Sequence, residues 1–301
     1  MITRVSQTGQ AAIDGLLGEY KWASAALTYS FPDSSSDYPA DYPGNRPTTG
    51  FYQLNAEQQA AAGRAFALLS SFSRLTFTAL SPDQDSDAFL RLAGSSVPEV
   101  ADAFPPQPHF AAGDSWYSDK VRSPVLGNHS HFTFFHEIGH ALGLKHPHED
   151  GRPVPAQLDS LEFTLMSYKS YVGSAEELYV NERFGYPQTY MMLDIAALQH
   201  LYGANFDYNS GNTTHSWDKD TGAYIINGVR QSAPGANRVF MTIWDGGGID
   251  TYDLSNYNNG VSIDLRPGAW TTTSAVQLAN LGNGNFARGN VANALLFNGD
   301  P

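Results

Sequence analysis

The stretch "HEIGHALGLKH", residues 136 to 146, carries three histidines and one glutamate. On a helix, His136 and His140 lie four residues apart and share a face, one turn above the other. Two imidazole nitrogens placed this way can converge on one ion at about 2.0–2.1 Å. Glu137 sits beside the first histidine, where its carboxylate can reach a water on that ion and not the ion itself. Gly143 takes a positive φ at low cost, so the chain can leave the helix and double back. His146 then supplies a third ligand, and a fourth position stays open to water, as a catalytic zinc requires. HExxH alone is a weak signal, because three fixed positions in five recur by chance on many helices. The added glycine and third histidine, in this order, point to a metal centre with a general base beside it.

The rest of the chain must position these groups. Its 301 residues suit one large or two modest domains, and an apolar fraction of 42% is ample for a packed core. Zero cysteines exclude disulfides and thiolate zinc sites. A net charge of -13 argues against a nucleic-acid partner, and no stretch has the apolar length of a membrane span. Positions 8 to 20 suit a short helix, and Asn55 can cap a long one through "NAEQQAAAGRAFALLSSFSRL". Strands are expected at 26–31, 75–80, 88–94 and 113–118, and the metal motif ends a further helix at Gly143. A last helix is expected over 187–203, opened by Pro187 and closed by Gly203. Beyond it Asn and Gly dominate, and short strands such as "AYIIN", "VFMTIW", "DTYDL" and "VSIDL" alternate with turn residues. The expected architecture is α+β over 1–205, followed by a β-rich segment over 206–301.

"FTLMSY" (163–168) brings Met166 and Tyr168 shortly after His146. HExxHxxGxxH followed by such a Met-turn resembles the metzincin zinc peptidases. The sequence "HEIGHALGLKHP", then "LMSY", then "DIAALQHLYGAN" resembles the serralysin branch, and "LTYSF", "EQQAAA" and "WDGGGIDTYDLS" have serralysin-like counterparts. The resemblance spans most of the chain and implies a metzincin-type catalytic domain: a twisted mixed sheet with zinc-binding and C-terminal helices. It implies His136, His140 and His146 as zinc ligands, Glu137 as general base and Met166 as a support beneath the metal. Tyr168 is implied as a tyrosine that ligates zinc at rest and swings away to stabilise the oxyanion. An extended substrate is implied to pair with an edge strand above the zinc helix, a place taken here by Gly113, Asp114, Ser115, Trp116 and Tyr117.

"WDGGGID" (244–250) sets two aspartates around three glycines, which suits a hard ion such as calcium, although an Asp/Gly turn is the more frequent cause of such a pattern. The resemblance implies Asp245, Gly247 and Asp250 as calcium ligands, joined by backbone oxygens of Asn209, Gly211 and Thr213. Serralysin-like chains continue into glycine-rich nonapeptide repeats, and this one stops at Pro301 before any such array. The expected activity is that of a secreted zinc endopeptidase acting on protein or peptide substrates, with calcium as a structural ion. No classical signal peptide is visible, since "MITRVSQTGQ" has no apolar core behind a basic start, and the resemblance implies export by a leaderless route. The chain is expected to be monomeric, with a proteinaceous inhibitor admitted as a further partner. The rival readings are a zinc-bearing peptide-binding module without turnover and a calcium-dependent β-module in which the histidines are incidental.

Overall fold

The computed structural model describes residues 1–149, 151–175 and 179–296, so 297–301 of the expected β-rich segment lie outside the described residues. A two-stranded ribbon pairs β1 (Ile2–Arg4) with β2 (Tyr20–Trp22), and the four-residue helix α1 (Ala11–Asp14) lies between them. The main sheet contains β3 (Ala26–Ser30), β4 (Thr76–Ala79), β5 (Leu90–Gly94), β6 (Ala101–Ala103) and β7 (Ser115–Tyr117). Their order is β4-β3-β5-β7-β6, with all neighbours parallel except β6, which runs antiparallel to β7.

Helix α2 (Ala56–Phe72) begins where the sequence predicts. The Asn55 side chain accepts from the Gln58 N–H at 2.9 Å, and the Gln58 side chain accepts from the Asn55 N–H at 3.0 Å. Its inward face, Ala61, Ala62, Ala65, Phe66, Leu69 and Phe72, is buried in the main core. Helix α3 (His129–Ala141) is capped by Asn128, whose side chain accepts from the His131 N–H at 2.8 Å. His129 and His131 fall in its first turn.

Two expectations are corrected. The last helix, α4 (Met192–Tyr202), starts five residues after Pro187. Residues 187–191 stay out of the helix because they bond to the C-terminal part: the Gln188 N–H donates to the Phe240 carbonyl at 2.9 Å, and the Thr242 N–H to the Thr189 hydroxyl at 2.9 Å. Those bonds outweigh the local preference for proline at a helix start. The other correction concerns 113–117. Ser115–Tyr117 is bonded to β5 on one side and β6 on the other, so it is not an edge. Gly113, Asp114, Ser115, Trp116 and Tyr117 are all buried, and Asp114 pairs with Arg91 at 2.7 Å. An extended peptide cannot add to backbone that already has both neighbours. The edge is β6.

Past α4 the chain is built of short strands and turns. Thr214–Trp217, Tyr224–Ile226, Val229–Arg230 and Thr251–Asp253 form one small sheet, and Met241–Ile243, Val291–Asn293 and Trp270–Thr271 form another. The stretch 261–265, read as a strand, makes only an isolated bridge from Ser262 to Thr272. This is a metzincin-like domain followed by a β-rich segment. Among the described residues no helix is long and apolar enough to cross a membrane.

Candidate metal centre and cleft

Helix α3 carries His136 and His140 on one face, and the turn after it brings in His146. Gly143 makes that turn with φ +105°, and a Cβ there would stand 2.8 Å from the Tyr20 carbonyl oxygen. The Gly18 N–H donates to the Gly143 carbonyl and the Lys145 N–H to the Leu16 carbonyl, each at 2.8 Å, so the reversed chain is fastened to the segment after α1. The three Nε2 atoms then lie 3.1 Å (136–140), 2.9 Å (140–146) and 3.3 Å (136–146) apart. Nitrogens on three corners of a tetrahedron about an ion at 2.0–2.1 Å would be about 3.3–3.4 Å apart, so the donor set fits zinc with a small outward adjustment.

Each ring is held by its other nitrogen. His136 Nδ1 lies 2.8 Å from the Leu165 carbonyl, His140 Nδ1 2.9 Å from the Leu144 carbonyl, and His146 Nδ1 2.5 Å from Glu149 Oε1. These acceptors require a proton on Nδ1, which leaves the Nε2 lone pairs facing one point. Burial, together with the neighbouring imidazoles, pushes His136 well below the usual histidine range and His146 down to about 3. Burial also lowers His140, against the pull of its Leu144 bond. Three neutral imidazoles are what a dication needs.

Glu137 is buried beside them and faces the same cleft, a space of about 630 Å³ that also borders Ala101–Ala103, Pro105, Pro106, Gln107, Pro108 and Tyr168. Burial, with a smaller push from Asp102, raises its carboxyl to about 8. Tyr168 stacks on His136 with ring centroids 6.0 Å apart and leans on His146 at 4.5 Å. Burial and the charges of Glu137 and Glu149 raise its phenol to about 12, so it is a proton donor at neutral pH. Met166 is fully buried under the helix, where a Cβ on Gly139 would come within 3.0 Å of its sulfur. Asp194, at the start of α4, anchors the Met-turn. Its carboxylate accepts from the Thr164 hydroxyl (2.6 Å), the Leu165 N–H (2.8 Å) and the Met191 N–H (2.9 Å).

Sequence reasoning missed Glu149 and Leu165 as the partners that orient the histidines, and β6 as the cleft wall. The proline-rich run right after β6 was the available signal, since prolines gather at sheet edges. The calcium candidates fall in two loops that touch. The Thr213 N–H donates to Asp250 Oδ1 at 2.9 Å, the Gly247 N–H to Asp245 Oδ1 at 3.2 Å, and Thr213 Oγ1 to the Gly211 carbonyl at 3.1 Å. Asn209 turns in the left-handed region at φ +52°. Asp245 also lies 3.2 Å from Nε2 of His215.

Elsewhere on α3, His131 is fully buried with neither ring nitrogen hydrogen-bonded. Burial, aided by nearby Arg64, lowers it to about 3. An unfolded histidine takes up its proton near 6.5. Between those values the unfolded chain holds the extra proton, so stability rises with pH and falls on acidification. The His131→Phe variant is expected to lose about 1–2 kcal/mol less stability than the unaltered chain between pH 7 and pH 5, read by urea unfolding at both pH values. Equal losses in the two proteins would refute this.

The mixed sheet, the histidine-bearing helix and the methionine turn beneath it define a metzincin-like domain. Comparison with known proteins is more particular. Residues 204–297 match the family model described as Peptidase M10 serralysin C terminal. The chain is 31% identical over 284 residues to Serralysin C of Dickeya chrysanthemi, covering 88% of this chain and 55% of that protein. It is 31% identical over 280 residues to Metallopeptidase AprA of Pseudomonas marginalis, covering 87% of this chain and 56% of that one. To Serralysin of Proteus mirabilis it is 28% identical over 279 residues, covering 84% and 54%. The chain is therefore serralysin-like over most of its length, and it spans about half the length of the curated relatives it matches.

Proposed function

We propose that the chain is the catalytic part of a secreted, serralysin-like zinc endopeptidase. The observation that carries this reading is the convergence of three Nδ1-anchored imidazoles within 2.9–3.3 Å of one another, beside a buried glutamate and below a free sheet edge. His136, His140 and His146 would hold zinc, which supplies Lewis acidity and brings a water's pKa toward neutrality. Tyr168, whose ring lies against those of His136 and His146, would add a ligand at rest. Glu137 takes the proton of the attacking water and hands it to the departing amine. A dication in the cleft favours the charged carboxylate, so Glu137 works as a base well below the value of about 8 it has without one. The Tyr168 phenol donates to the oxyanion that forms as the peptide carbonyl is attacked.

The substrate strand pairs with β6, whose outer edge lacks a neighbour among the described strands. Pairing of this kind reads backbone more than side chains and gives broad specificity for protein substrates. In the C-terminal part, Asp245, Gly247 and Asp250, with carbonyls of Asn209, Gly211 and Thr213, would hold a structural calcium.

Casein digestion, with zinc counted in the same samples, tests the reading. Cleavage that stops on chelation and returns with zinc is expected; stoichiometric zinc without cleavage would favour a peptide-binding module. The Tyr168→Phe variant is expected to lose roughly 10²-fold in kcat with KM little changed. A change confined to KM would remove the phenol from the oxyanion.

A further inference from the structure

The parallel register of β3 and β5 sets Tyr29 opposite Leu90 and Ser30 opposite Arg91. It thereby brings the loop that leaves β3 against the short helical turn Pro82–Asp87 that leads toward β5. Three carboxylates meet there. One oxygen each of Asp33, Asp37 and Asp85 lies within 4.8 Å of the other two. Ligands around calcium stand 2.3–2.6 Å from it, so any two are at most about 5 Å apart, and this spacing fits one ion between them.

A patch of exposed acids needs no ion, but Asp85 is not exposed. It is 3% accessible, and its Oδ2 has no hydrogen-bond donor. Its backbone carbonyl already accepts from the Ser30 hydroxyl at 3.2 Å. The groups acting on its carboxyl are the charges of Asp37 and Asp33, the Ser30 hydroxyl and the Asp33 N–H, with no basic side chain among them. The nearby cation, Arg91, is committed elsewhere. Its guanidinium forks onto Asp114 with two 2.7 Å bonds and donates to the carbonyls of Asp37 and Phe110. A buried carboxylate oxygen without a donor, pressed by two like charges, lacks a counter-charge that protein groups do not supply.

We propose that Asp33, Asp37 and Asp85 form a calcium-type site for a hard divalent cation in the N-terminal domain. It is independent of the histidine centre and of the 245–250 loop. The ion would pin the 33–37 loop to the 82–87 turn and let all three carboxylates stay charged. Its role is structural.

The test counts metal in the full chain. Protein stripped with EGTA is equilibrated with excess calcium chloride, and bound calcium and zinc are measured together by mass spectrometry. The same is done for Asp33→Asn, Asp85→Asn and Asp245→Asn. Each of the first two variants is expected to bind one calcium fewer than the unaltered chain, with unchanged zinc and a smaller calcium-induced rise in Tm. Combining either with Asp245→Asn should remove a different calcium, which separates the two sites. Should Asp85→Asn fail to fold, Asp33→Asn, on the exposed rim, carries the test alone. An undiminished calcium count in Asp33→Asn would overturn the proposal and leave Asp85 a protonated carboxyl in a strained corner.

Discussion

Replacing Glu137 with glutamine is expected to lower kcat/KM on a protein substrate by about 10³-fold or more while zinc remains bound at one per chain. General-base catalysis contributes roughly 10²–10⁴-fold, and no second carboxylate in the cleft is placed to take over. Of the other carboxylates that line it, Asp102 is held by Arg46 on β6, Glu149 is turned onto His146, and Glu19 is paired with Arg4. Glutamine keeps the volume and polarity of the side chain, so the loss reports the missing proton acceptor and not a collapsed pocket. The three imidazoles keep their own anchors, because none of the Nδ1 acceptors is Glu137. The pH profile separates this from a structural effect. A carboxylate base works only when deprotonated, so activity of the unaltered enzyme falls as pH drops through the Glu137 pKa, and that limb should be absent from the residual activity of the variant. An active variant with normal zinc would remove Glu137 from the base role and with it the mechanism proposed above.

The order in which groups become visible follows from how local their causes are. The histidine motif is local: a four-residue helical spacing, one glycine and one turn suffice to bring three imidazoles together. Helix α2 is local too, since Asn55 and Gln58 cap each other through their own side chains. The edge strand was not. "GDSWYS" looks more like a strand than Ala101–Ala103 because aromatic residues suit a sheet interior, and Trp116 and Tyr117 are fully buried there. Propensity measures burial and packing. Which strand is last in the order is decided by pairings between distant segments, here β5 with β7 and β7 with β6.

The start of α4 shows the same limit. Pro187 is a fair local sign of a helix start, but Phe240 and Thr242 bond to Gln188 and Thr189 from the C-terminal part and keep 188–191 out of the helix. Glu149 and Leu165, which fix the histidine tautomers, carry no mark in sequence beyond being an acceptor in the right place. The same holds for Asp33, Asp37 and Asp85, brought together only by the register of β3 and β5.

Asp194 offers the sharpest case, because the fold gives its carboxylate three hydrogen bonds. The Asp194→Ala variant is expected to lose about 3–5 kcal/mol of stability, roughly 10 °C in Tm, and to bind zinc about 10- to 100-fold more weakly. The side chain is completely buried. Its removal strands the Thr164 hydroxyl and the N–H groups of Leu165 and Met191 without acceptors, and each such buried donor costs about 1–3 kcal/mol. The zinc effect follows from Leu165, which gives its N–H to Asp194 and its carbonyl to His136 Nδ1. When the N–H loses its anchor, the backbone at Leu165 is free to shift, and His136 loses the fixed carbonyl acceptor that points its Nε2 at the metal. Burial raises the Asp194 carboxyl to about 7 against the pull of the three donors. Asp194→Asn decides which side prevails at neutral pH. An ionised Asp194 accepts all three bonds. An asparagine with its oxygen in the Oδ2 position keeps the Leu165 and Met191 N–H bonds and turns its amide to the Thr164 hydroxyl, which can accept, so it loses the charge-assisted part of these bonds, about 1–3 kcal/mol. A protonated Asp194 would be replaced by asparagine with less than about 1 kcal/mol of change. We expect the larger loss, because two main-chain N–H groups fixed on one oxygen and a hydroxyl on the other favour the charged carboxylate, and unfolding of the zinc-free chain would show it without any contribution from the metal.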